Sequence, residues 1–223
     1  SQFLGQPVRI GEIVVNTKGW LPTLELRDVA LLDAQARPVL QLPRVVGALS
    51  VKSIFAMQPR FAQLLIDGAD LDVHRDVDGR VFVAGFEITA ADADHRPLSN
   101  WLFRQHEVVL RNGVVRWRDA LHPSEPQRFT DVQWVTRNSL RRHDLRIDVT
   151  PPERWGDRVT LIGRFTQPLL AEPADWRRWR GTLYASAPKV DVAALQPHFT
   201  LPAGLTQAHG AVRAWIDVAE GRA

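Results

Sequence analysis

Four aspartates within a nine-residue stretch, Asp70, Asp72, Asp76 and Asp78, are the side chains that most suggest chemistry in this sequence. Carboxylates so grouped could hold calcium or act as the acid and base of a glycoside hydrolase. The calcium reading fails on spacing. With Gly79 at the glycine of a calcium-binding helix–loop–helix, Asp78 and Asp76 fall on ligand positions. His74 then stands first and Gly85 last, where the loop needs aspartate and glutamate. The competing reading is a polar strand face followed by a hairpin turn, and it is preferred. Asp92, Asp94 and His95 could supply oxygen and nitrogen ligands, but they sit in a polar connection before Pro97 and read as a solvated loop. The other histidines are scattered without a His-Glu-x-x-His spacing. No Gly-x-Ser-x-Gly elbow and no glycine-rich phosphate loop occurs. A carboxylate dyad assembled from neighbouring strands would be invisible in one dimension. No catalytic residue, metal or cofactor is assigned.

Aromatic and basic residues offer a second chemistry. Eight tryptophans and nine phenylalanines are interleaved with many arginines, a combination that could stack on nucleic acid or sugars. The charge balance argues against nucleic acid. Net charge is only +3, on 28 basic and 25 acidic residues, and the excess is mild even in residues 101–180, with 15 basic against 10 acidic. Trp101, Trp117 and Trp134 are therefore read as core or groove-wall side chains, with arginine stems on the wet face. Cysteine is absent, which excludes disulfides and thiolate metal sites. No apolar run reaches 18 residues, and no signal peptide is visible. The chain opens on Ser1-Gln2-Phe3 and stops at Arg222-Ala223 after a strand-like run, so both ends read as cuts through a longer polypeptide.

The elements that would position any site are strands. Alternation of apolar and polar residues, the period of a half-buried strand, dominates the sequence. It is cleanest in Asp144-Leu145-Arg146-Ile147-Asp148-Val149-Thr150. It recurs at 69–74, 115–118 and 212–218, and less regularly at 8–15, 24–32, 39–51, 61–67, 81–86, 107–112, 129–136, 158–166 and 179–186. Asp78-Gly79 predicts a hairpin turn, Asn112-Gly113 a link or kink, and Pro151-Pro152 the end of the strand before it. Helical signals are few. One covers 97–105 with Leu98, Trp101 and Leu102 on one face, a shorter one 191–195 with Asp191 as N-cap, and a third a turn over 53–57.

The fold class is therefore mainly β: a twisted, curled antiparallel sheet with two or three short helices. Two units are expected, 1–96 and 97–223, the second opening with a short helix, in one continuous sheet. About ten strands make a sheet nearly 50 Å wide, which so little helix cannot cover. Its apolar face must fold into a sandwich, close into a barrel, or line a trough. Because the period of two fixes facing along each strand, Ala69, Leu71, Val73, Val115, Trp117, Leu145, Ile147, Val149, Val212, Ala214 and Ile216 are expected to share one concave surface. Arg116, Arg118, Arg146 and Asp148 are expected to face water. A sandwich core built from the same residues fits the pattern equally well. A weak internal similarity relates Ile66-Asp67-Gly68, followed by a strand ending Arg75-Asp76, to Arg111-Asn112-Gly113, followed by one ending Arg118-Asp119.

Several segments resemble the AsmA-like family of Gram-negative envelope proteins, and its large YhdP branch most of all. Val8-Arg9-Ile10-Gly11, Trp20-Leu21-Pro22-Thr23-Leu24-Glu25-Leu26, Leu65-Ile66-Asp67-Gly68-Ala69-Asp70-Leu71 and Arg75-Asp76-Val77-Asp78-Gly79 carry the broader likeness. Trp101-Leu102-Phe103-Arg104-Gln105, Gly113-Val114-Val115-Arg116-Trp117-Arg118-Asp119, Phe129-Thr130-Asp131-Val132 and Trp179-Arg180-Gly181-Thr182-Leu183-Tyr184 are similar to the YhdP branch. The resemblance implies a periplasmic β body behind an inner-membrane helix. It implies an apolar groove for phospholipid acyl chains, leading from the inner towards the outer membrane, with no catalytic residues. The eleven residues named above would line that groove. Other envelope proteins are possible partners, and a non-enzymatic scaffold without lipid is the alternative.

Overall fold

A computed structural model describes residues 2–3, 6–17, 22–33, 35–49, 61–87, 103–122, 125–169, 171–172, 175, 178–196 and 209–219. The period-two runs become strands: β1 (Gln2–Phe3), β2 (Gln6–Arg9), β3 (Glu12–Asn16), β4 (Thr23–Leu32), β5 (Pro38–Leu49), β6 (Phe61–Asp67), β7 (Asp70–Arg75), β8 (Val81–Val83) and β9 (Phe86–Glu87). They continue as β10 (Glu107–Asp119), β11 (Gln127–Asn138), β12 (Arg142–Thr150), β13 (Val159–Thr166), β14 (Arg180–Asp191) and β15 (His209–Ala219). All fifteen join one sheet, whose main path runs β1-β2-β4-β5-β6-β10-β11-β12-β13-β14-β15. β12 ends at Thr150, where Pro151 and Pro152 remove two donors from the ladder. β15 stands at the end of the path, paired with β14 alone.

Helix is scarce among the described residues. α1 (Val192–Leu195) is capped as expected, Asp191 accepting a hydrogen bond from the Ala194 N–H. A 3-10 turn at Glu153–Trp155 follows the proline pair and was not foreseen. Of the helix expected over 97–105, Phe103 and Arg104 are helical, whereas Leu98, Trp101 and Leu102 lie outside the described residues, as does the turn expected at 53–57.

The sheet is mixed. Every pairing is antiparallel except that β10 runs parallel to β6 and β7. β6 and β7 follow one line, since both also pair with β5. The internal similarity explains this geometry. Ile66-Asp67-Gly68 lies beside Leu110-Arg111-Asn112, with the Gly68 N–H on the Arg111 carbonyl at 2.9 Å, so the two similar segments stack side by side. A longer period becomes visible in the turns. Asp33, Asp76 and Asp119 stand 43 residues apart, each closing a strand. Asp33 Oδ1 accepts from the N–H groups of Gln35 and Arg37, and Asp76 Oδ1 from those of Asp78 and Arg80. The arginine then returns its Nε to Oδ2 in both turns, at 2.9 and 2.8 Å.

One irregularity repeats across neighbouring strands. Asp28 in β4, Gly68 between β6 and β7, Asn112 in β10 and Asp131 in β11 all have positive φ. Gly11, between β2 and β3, donates to the Arg27 and Asp28 carbonyls, and Pro43 of β5 lies against Gly68. Register shifts fall on this line between Leu110 and Val115 of β10 and between Thr130 and Gln133 of β11, whereas β4 and β5 keep their register through Asp28 and Pro43. Bulges bend a strand and raise its twist, so aligned bulges crease the sheet along a line perpendicular to the strands. Asp and Asn take the left-handed conformation at lower cost than other side chains, which suits them to this line. β12, β13 and β14 pair with no register shift, so the crease ends at β11.

Candidate functional site

Residues directly opposite each other in a sheet share a face, so the register locates all eleven expected lining residues. Leu145 pairs with Gly163, Gly163 with Leu183, and Leu183 with Ile216. Ile147 pairs through Leu161 and Ala185 to Ala214, Val149 pairs with Val159, and Val212 pairs with Ala187. On the other side Ile147 meets Trp134, which meets Leu110. Beyond the crease Val115 pairs with Leu71, and Trp117 with Val73; Ala69 precedes Leu71 by two. The eleven therefore lie on one face. Ala69 is buried, Val212 is 51% exposed, and the other nine are half-buried. Leu64, Leu110, Trp134, Leu161 and Leu183 join them. Their alternation was visible, but their facing needed the register.

The opposite face is a lattice of arginine–carboxylate pairs. Arg116 reaches Asp70 at 3.2 Å, Arg118 reaches Asp72 at 3.1 Å, and Arg137 reaches Glu107 at 2.7 Å. Arg44 and Arg27 share Glu25, and their hydrogen bonds hold its carboxyl down at about 2. The aspartate run that suggested calcium is thus taken up by arginines, Asp76 and Asp78 by Arg80. Among the described residues no three metal-ligating side chains come together. Asp92, Asp94 and His95 lie outside them. One placement is corrected. Arg116, Arg118 and Arg146 do lie on this face, but Asp148 is only 7% exposed rather than water-facing. Arg146 Nε covers Oδ2 at 2.7 Å, and the Thr160 hydroxyl donates to Oδ1 at 2.6 Å, which replaces the carboxylate's hydration.

Polar and aromatic clusters bound the apolar face at the two ends of its strands. At one end His143, 2% exposed, stacks on Trp179 at 4.0 Å, with Phe103 edge-on to both. Its Nδ1 lies 2.8 Å from Asn138 Oδ1 and its Nε2 lies 2.9 Å from Gln167 Oε1. Burial lowers the His143 pKa, partly offset by the Gln167 hydrogen bond. The scattered spacing of the histidines concealed this cluster, because its members come from five separate segments of the chain. At the other end Trp155 packs edge-on against Phe129 at 5.5 Å, and Asp119 at the end of β10 is buried.

Burial pushes the Asp119 carboxyl up. Hydrogen bonds from Arg75, His122 and the Leu121 N–H outweigh burial and hold the carboxyl at about 2, below its ordinary 3.8. A carboxylate lowered in the folded state stabilises fully above its unfolded pKa and loses that contribution as pH falls through the folded one. Asp119→Asn should therefore cost about 2 kcal/mol near neutral pH, on the scale of 1.36 kcal/mol per unit. The gap from wild type should close between about pH 4 and pH 2. Urea unfolding across that range measures it, and a gap unchanged at pH 2 would rule out the ion pair as its source.

None of the described helices is long and apolar enough to cross a membrane. A family description given as YhdP protein matches residues 1–223. That family consists of envelope proteins related to lipid transport. No curated protein and no solved structure shows significant similarity to the chain.

Proposed function

Since the chain belongs to the YhdP family over its whole length, we propose that it conducts phospholipid acyl chains along its apolar face, as a periplasmic segment of a protein anchored in the inner membrane. One observation carries the reading. The residues of that face share a side across the sheet, yet nine of the eleven are half-buried, where a packed sandwich core would seal them. Exposing acyl chains to water costs about 0.8 kcal/mol per methylene, so two chains of about fifteen carbons face ~24 kcal/mol. A lining continuous from β7 to β15 removes most of that cost at each step. The crease supports the same reading, because a fold line perpendicular to the strands bends the sheet around an axis along which a chain could slide. The units 1–96 and 97–223 would then be successive lengths of one conduit. The work is transfer without bond-making, carried by no catalytic group.

Native mass spectrometry of the chain purified from Gram-negative cells tests the proposal. Adducts with the masses of phospholipids, released by detergent, are expected. A lipid-free spectrum under conditions that keep a control lipid carrier loaded would overturn it.

A further inference from the structure

The polar face holds a feature that the lipid reading does not use. A depression of about 560 Å³ opens there over Val135 and Ile162, ringed by Arg137, Arg142, Arg146 and Arg164. Arg137 and Arg146 are engaged by Glu107 and Asp148, whereas Arg142 and Arg164 pair with no carboxylate among the described residues. The depression continues into an aromatic shelf. Ile162 pairs with Tyr184, and Tyr184 with Trp215, whose ring lies 5.0 Å away at 48°. Trp215 is 69% exposed on the last strand of the path. Beside this row runs a second one on the same face, Asp144, Arg164, Thr182 and Asp217.

We propose that this surface of β12–β15 binds an acidic oligosaccharide. The aromatic shelf offers π faces to the C–H side of a pyranose ring, the contact that an exposed Trp–Tyr pair makes most readily. The free guanidiniums of Arg142 and Arg164 offer forked donors to a carboxylate or phosphate on the sugar. Asp144 and Asp217, the latter already accepting the Thr182 hydroxyl at 3.2 Å, supply acceptors for neutral hydroxyls. Four strands span roughly 14 Å, the reach of a short oligosaccharide. A polynucleotide fits less well. It brings a phosphate with every residue, which Asp144 and Asp217 repel, and it needs a series of stacking rings where this face exposes one pair.

Calorimetric titration of the 223-residue chain at near-physiological salt tests the assignment, with trigalacturonate, maltotriose and a dT15 oligonucleotide as probes. Saturable binding of trigalacturonate is expected, with maltotriose weaker by at least about tenfold for want of the charge-assisted bonds. Arg142→Ala with Arg164→Ala should weaken trigalacturonate by at least about tenfold and leave the residual maltotriose affinity in place. Trp215→Ala should weaken both sugars by about fivefold or more through lost stacking. These side chains are exposed, so thermal unfolding of the variants should match wild type. Absence of trigalacturonate binding, tighter binding of dT15, or variants that bind as wild type would each overturn the proposal. Because it concerns the face opposite the apolar lining, its outcome is independent of lipid occupancy.

Discussion

Ile147→Asp should fold and yet lose its phospholipid. Ile147 sits in the middle of β12, facing Trp134 on one neighbour and Leu161 on the other, and it is half-buried. A carboxylate there keeps access to water when the face is empty. The folded state then gives up part of one side chain's burial and some strand propensity, about 1–2 kcal/mol together. A bound acyl chain changes the balance. It would seal the carboxylate against hydrocarbon without a partner, which costs several kcal/mol. Occupancy should drop by at least about tenfold, since each 1.4 kcal/mol is a factor of ten. Thermal unfolding and native mass spectrometry of the same preparation separate the outcomes. A variant that cannot fold would mean that Ile147 belongs to a packed core. A variant that folds and keeps its lipid would move the acyl path off this face. Arg142→Asp, exposed on the opposite face of the same strand, is the control and should leave occupancy near the wild-type level, because its side chain points away from the lining; the adjacent Arg146 is left intact because it covers the buried Asp148.

The contrast between those two positions was legible in the sequence, because alternation is a local signal and β12 is regular over its whole length. So were the Asp78-Gly79 turn, the stop at Pro151 and the cap at Asp191. Pairing was not local. Nothing within β10 announces that it lies parallel to β6 and β7. The only trace was the likeness of Ile66-Asp67-Gly68 to Arg111-Asn112-Gly113, segments that lie side by side in the ladder. The crease itself was half visible. Asn112-Gly113 reads as a link or kink, but Asp28 and Asp131 look like ordinary polar strand residues until their φ angles are known. The even spacing of Asp33, Asp76 and Asp119 lay open in the sequence, and it acquires meaning only when two of the turns close with the same hydrogen bonds. Asp148 shows the limit of reading polarity as exposure. Its place in the alternation gives its face correctly, but two residues along its own strand and one across the ladder decide that it is covered. The facing of the apolar set follows from period and register, whereas the His143 cluster, gathered from five segments, could not be read from spacing at all.

Gly181→Ala should be the most damaging single-methyl substitution in the sheet. Gly181, the second residue of β14, lies opposite Phe165 of β13 and Val218 of β15. A Cβ at this position would lie 1.9 Å from the Arg164 carbonyl oxygen and 2.8 Å from the Phe165 Cα. Both are backbone atoms, so no rotamer change can yield, and β14 would have to leave the ladder. Two residues earlier Trp179 stacks on His143 and leans on Phe165 at 5.8 Å. Displacing the strand would therefore also open the aromatic end of the apolar face. A loss of about 3 kcal/mol or more is expected, in the range reserved for strain that the structure cannot relax. Gly163→Ala provides the graded comparison. Its Cβ would meet the Phe165 ring at 2.3 Å, but a ring at the end of a rotatable side chain can swing aside, for about 1–2 kcal/mol. Gly210→Ala meets nothing within 4 Å and should stay within about 0.5 kcal/mol of wild type. Urea unfolding of the three variants should give that order, with tryptophan fluorescence reporting the Trp179 environment. Gly181→Ala unfolding at the same urea concentration as Gly210→Ala would show that β13 and β14 do not approach as closely as the ladder requires, and the pairing that carries the apolar face from β12 to β15 would fall with it.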